Sequence, residues 1–115
     1  MLKHLIVATL LSSLLCGSVF ADDDDDDDAR IDQLKSSASH GNVRSQLELS
    51  NIYQSGRVIP QNYKKALYWL RQAAKQNNTD AEFGIGKMYQ LGHGVRQSDQ
   101  EAAKWFARSG THRPS

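Results

Sequence analysis

The chain has 115 residues, 14 Lys and Arg against 13 Asp and Glu, a single Cys and a formal charge of +1. That length holds one small domain and excludes a multidomain enzyme. The near-neutral charge is a cancellation, because seven acids form one block, Asp22–Asp28, and residues 29–115 carry thirteen bases against six acids.

Residues 1–21 read as a secretory signal peptide. Lys3 and His4 make a basic start, Leu5 to Leu15 is apolar apart from Thr9, Ser12 and Ser13, and Val19-Phe20-Ala21 places small residues where signal peptidase cuts. Cleavage is predicted after Ala21. A lipidation signal would end at a cysteine preceded by a small residue, whereas Leu15 precedes Cys16. The apolar run is shorter than the ~20 residues that span a bilayer, so no stable membrane insertion is expected after cleavage. The mature chain would then lack cysteine, and with it thiol catalysis, disulfides and Cys-ligated zinc. A periplasmic or secreted location follows.

Asp22–Asp28 is predicted to be an acidic, disordered, extended tail, since adjacent like charges repel and bury nothing. Its simplest role is solvation. A sharper expectation is that it covers a basic face and competes with an acidic partner, so that its deletion strengthens binding at low salt. A partial helix is expected over residues 29–41.

The remainder repeats itself. A shift of 36 residues pairs Tyr53 with Tyr89, Gln54 with Gln90, Gly56 with Gly92, Gln61 with Gln97, Ala66 with Ala102 and Trp69 with Trp105. Leu49, Ile52 and Tyr53, like Ile85, Met88 and Tyr89, recur at i, i+3 and i+4, the period of a half-buried helix. Ala66, Trp69, Leu70 and Ala73 mark a second helix, as do Ala102, Trp105, Phe106 and Ser109. Ser98 to Glu101 and Thr79 to Glu82 fit the capping box, and Asn62 takes the place of Ser98. Gly56 and the Gly92-His93-Gly94 turn break the helices, and Gly41 and Gly110 are expected to end others. The predicted fold is all-α, a short α/α solenoid of about two and a half helix-turn-helix units. Unit 1 spans 42–77, unit 2 spans 78–110, and 111–115 form a flexible end.

These residues resemble the Sel-one-like repeat family, a relative of the tetratricopeptide repeats. Ile85-Gly86-Lys87-Met88-Tyr89, Gly92-His93-Gly94-Val95 and Ala102-Ala103-Lys104-Trp105 fit its pattern, and the first unit departs from it at Ser50 and Val58, where glycine is usual. The repeat-defining positions are Tyr53, Gly56, Ala66, Trp69, Gly86, Tyr89, Gly92, Gly94, Ala102 and Trp105. Gly86 costs about 1 kcal/mol of helix propensity, which close approach of a neighbouring helix would offset. Trp69 and Trp105 are read as filling between hairpins. Solenoids generally need three or more units, so marginal stability, or completion by self-association or a partner, is expected.

No catalytic, cofactor or metal site emerges. Gly84-Ile85-Gly86 lacks the third glycine of a dinucleotide loop and follows no strand. His40, His93 and His112 share no helical metal spacing, and the aspartate run lacks the spaced ligands and glycine of a calcium loop. No nucleophile elbow is present. The bases are dispersed along an exported chain, which argues against nucleic acid. The reading is a non-enzymatic adaptor or scaffold that binds a protein or peptide on its concave face. Arg44, Glu48, Asn51, Asp80 and Lys87 are its candidate contacts, with Gly84 beside them. A hydrolase of peptidoglycan or β-lactams, and an acidic-tail regulator or inhibitor of a basic partner, are the alternatives.

Overall fold

The computed structural model describes residues 27–111. The chain divides into Met1–Asp32 and Gln33–Ser115. The signal peptide expected over 1–21, its cleavage site, residues 22–26 of the acidic block and residues 112–115 lie outside the described residues. The first described helix, α1, covers residues 27–39. It includes Asp27 and Asp28, which are exposed and helical instead of extended. Both stand in the first turn of α1, where the positive end of the helix dipole favours negative charge and offsets part of their mutual repulsion.

In the Gln33–Ser115 unit four further helices follow: α2 (Val43–Ser55), α3 (Tyr63–Ala74), α4 (Thr79–Leu91) and α5 (Asp99–Thr111). All five helices lie in the described residues, which contain no strand. The all-α helix-turn-helix fold read from the sequence is the fold observed.

Their starts share one chemistry. The Asn42 side chain accepts from the amide of Ser45 at 2.9 Å and that of Asn62 from Lys65 at 3.0 Å. The amide of Ala81 donates to Asn78 at 2.9 Å, and that of Glu101 to the Ser98 hydroxyl at 3.2 Å. The predicted box at Thr79 is therefore corrected to a cap by Asn78. Thr79 is already the first helical residue, and Glu82 turns inward to Arg108. Gly56 and Gly92 end α2 and α4 in the left-handed region, at φ 67° and 71°. Gly110 ends nothing: α5 runs through it to Thr111, with open space where a Cβ would stand.

α3 packs on both α2 and α4, and α5 packs on α4. Leu49, Tyr53, Ala66, Leu67, Leu70, Ala73, Ala81, Ile85 and Met88 form the buried cluster between them. Trp69 and Trp105 lie at its margin, half-buried, as is usual for so large a side chain. The ring of Tyr68 meets Trp69 edge-on at 4.9 Å, and the Arg108 guanidinium lies 5.3 Å from the Trp105 ring centroid.

The two repeats close their loops in the same way. The amide of Asn62 donates to the Tyr53 carbonyl and that of Ser98 to the Tyr89 carbonyl, both at 2.9 Å. Gln61 Nε2 reaches the Gln54 carbonyl at 2.7 Å, and Gln97 Nε2 reaches that of Gln90 at 3.4 Å. The loops part at one position. Gly94, at φ 78°, lies against the Tyr63 backbone, where a Cβ would approach the carbonyl oxygen to 2.8 Å. Its counterpart Val58 is exposed and has no positive φ.

Candidate functional site

α2 and α4 flank a groove of about 490 Å³. Its floor is buried Leu70 and Met88, with half-buried Leu47 on the α2 side. Gly84 keeps the floor low, because Leu70 occupies the space beneath it and a Cβ there would lie 3.2 Å from the Leu70 methyl group. At one end the His93 ring stacks on Tyr63, with centroids 4.1 Å apart and planes at 11°. Gly94 makes that stack possible by letting the loop come down onto Tyr63.

Three predicted contact residues, Asn51, Asp80 and Lys87, line this groove together with Gly84. All three are exposed. Arg44 and Glu48 do not line it: Arg44 is exposed nearer the start of α2, and Glu48 is half-buried. The groove also contains residues that sequence reasoning did not single out. Phe83 and Leu91 are 45% and 57% exposed. The Phe83 ring packs against Phe106, with centroids 5.2 Å apart, and Lys87 Nζ lies 5.9 Å from its centroid. The available signal was an apolar residue two positions before Ile85, off the inward stripe. Tyr63 and His93 had none, because their stack joins a helix start to a loop thirty positions away.

Position 46 and its counterpart 82 are buried polar residues on the first helix of each repeat. Gln46 Nε2 donates to the Ala38 carbonyl at 2.9 Å, and Gln76 donates to Gln46 at 3.2 Å. Glu82, fully buried, accepts from Arg108 Nε at 2.7 Å. Both tie helices together. Among the described residues no group of three His, Cys, Asp or Glu is placed to hold a metal ion. No described helix is long and apolar enough to cross a membrane.

A Sel1 repeat model matches residues 43–78 and 79–111, each copy holding one hairpin of the structure. The chain belongs to the Sel1 repeat family. A Sel1 repeat protein from Oxalobacter formigenes is similar at 25% identity over 72% of this chain and 63% of its own, with a TM-score of 0.69. A protective antigen of uropathogenic Escherichia coli strains, displaying an SLR fold, is 34% identical over 70% of this chain but only 17% of its own, with a TM-score of 0.68. The cysteine rich protein B of Helicobacter pylori, at 20% identity over 70% of this chain and 61% of its own, shares the fold, with a TM-score of 0.66. The Sel1 repeat chain thus spans less than two thirds of each of these relatives. No curated protein matches it. Sel1 repeats typically mediate protein–protein interaction.

Proposed function

We propose that the chain is an exported, non-enzymatic interaction module that binds a peptide or protein partner in the groove between α2 and α4. The observation that carries this reading is the groove's lining. Exposed Phe83 and Leu91 stand beside polar Asn51, Asp80 and Lys87 over a low apolar floor. A few anchoring apolar side chains with a polar rim are what a peptide site requires. Asn51, Asp80 and Lys87 are its polar contacts, and Arg44 and Glu48 lie outside it. The signal-like residues 1–21 support export.

A peptide selected from a displayed library against the full chain tests the site. Phe83→Ser with Lys87→Glu is expected to weaken that peptide about tenfold or more, as befits loss of an apolar anchor and a charge. Circular dichroism checks that the variant stays folded at the assay temperature, although loss of the Phe83–Phe106 contact lowers its melting temperature. Arg44→Ala with Glu48→Ala is expected to leave it within about twofold. The reverse pattern would move the site away from the groove. Export has its own test: the mature protein should begin at Asp22 by intact mass.

A further inference from the structure

Residues 49–79 contain five bases, Arg57, Lys64, Lys65, Arg71 and Lys75, and no acid. Dispersed in sequence, three of them converge in space. Lys64, Arg71 and Lys75 line one groove of about 430 Å³ between α3 and the loop at Gly94 and Val95. No carboxylate lines it. Tyr68, 54% exposed, stands among them. The spacing 64, 68, 71, 75 is that of a single helical stripe. The stripe carries on towards α5, where Arg71 and Lys75 meet Arg108 beside Trp105. These residues belong to the second helices of the repeats and are absent from the lining of the groove between α2 and α4.

We propose that this stripe is a second interaction surface, a docking site for an acidic peptide segment. Charge complementarity selects the occupant. Three cations, spaced along about 16 Å of helix at 1.5 Å per residue, offer an extended acidic strand successive partners while the Tyr68 ring supplies a flat apolar contact. A lone sulfate or phosphate would meet only one or two of them. The chain itself carries such a segment in Asp22–Asp28, and the occupant assigned to this surface is that segment of a second copy.

The probe is a fluorescent peptide of seven aspartates, titrated by anisotropy into the full chain at about 50 mM and about 500 mM salt. The same titration is run on a chain with Asp22–Asp28 replaced by Asn, so that its own run cannot compete. Binding is expected at low salt and is expected to be lost at high salt, where the screening length falls to a few ångströms. Lys64→Gln with Arg71→Gln and Lys75→Gln is expected to weaken it about tenfold, three exposed pairs at roughly a factor of two each. Lys35→Gln with Arg44→Gln and Arg57→Gln removes the same charge from residues that do not line this groove and is expected to cost less than about twofold. Circular dichroism melting confirms that each variant folds. Equal losses in the two triple variants, or no binding by either chain, would overturn the proposal. So would a duplex DNA that binds more tightly than the peptide and is lost with the same α3 triple, which would assign the surface to nucleic acid. Neither triple variant touches Phe83 or Lys87, so failure here is distinct from failure of the α2–α4 site.

Discussion

A Cβ at Gly86 would stand 2.5 Å from the Phe106 ring, whereas one at Gly84 would meet only Leu70 methyl groups at 3.2 and 3.3 Å. The two glycines share a helix and differ in what faces them. Gly86→Ala forces an aromatic ring out of a packed site and is expected to destabilise by about 1–3 kcal/mol, despite the helix propensity gained. Gly84→Ala meets the flexible end of a leucine and gains about 1 kcal/mol of propensity, so urea titration should find it neutral or slightly stabilised. The first repeat shows how Gly86→Ala can be accommodated, since the counterparts of Gly86 and Phe106 are Ser50 and Leu70, both buried. A larger residue on one helix goes with a smaller one on the next. Phe106→Leu should therefore recover part of the Gly86→Ala loss, and a double-mutant cycle measures how much. The buried carboxylate follows a similar logic. Arg108→Gln removes the guanidinium that donates to Glu82 and is expected to cost about 1–3 kcal/mol, less than for a fully buried pair because Arg108 is half exposed. Adding Glu82→Gln restores the residue type found at position 46 and should regain part of it.

At the scale of the element, helix starts, loop closures and the glycine ends of α2 and α4 repeat, whereas α3 ends at Lys75 in right-handed backbone and α5 runs on to Thr111. Asn42, Asn62, Asn78 and Ser98 begin the four helices of the Gln33–Ser115 unit. Asn78→Ala is expected to cost about 1 kcal/mol, while Thr79→Ala should cost far less, a contrast thermal melting can read directly. The helical hairpins were legible because Leu49, Tyr53, Ile85 and Met88 repeat at helical spacing and Gly56 and Gly92 stand where left-handed backbone is needed. The cap at α4 was not, because Asn78 and Thr79 are adjacent and both able to cap, and only the inward turn of Glu82 decides between them. Asn77 was equally hidden: it takes φ 61° at the position where the preceding repeat has Gly41 at φ 96°. An asparagine tolerates that conformation and gives less sign of it. Of the candidate contacts, Asn51, Asp80 and Lys87 lie together in the groove. Their apolar neighbours Phe83 and Leu91 escaped because the periodic argument assigns apolar residues to the core. The α3 stripe escaped because charges seven and four residues apart look scattered until a helix aligns them.

Across the whole molecule, two Sel1 repeats share one buried cluster through the packing of α3 on α4. An array of this kind owes its stability to nearest-neighbour interfaces as much as to its individual repeats. Among the described residues the two repeats meet chiefly through that packing of α3 on α4, so weakening it is expected to destabilise both. The placement of Trp69 and Trp105 makes this accessible to fluorescence. One indole sits by a tyrosine edge and the other beneath a guanidinium, so each repeat carries an optical reporter with surroundings of its own. In Trp69→Phe only the second repeat reports, and in Trp105→Phe only the first. If the shared interface governs unfolding, each variant's emission should change at the same denaturant concentration as its own helical signal. Emission midpoints that part from the helical signal would mean that each hairpin melts alone, and one chain would then behave as two separate folding units.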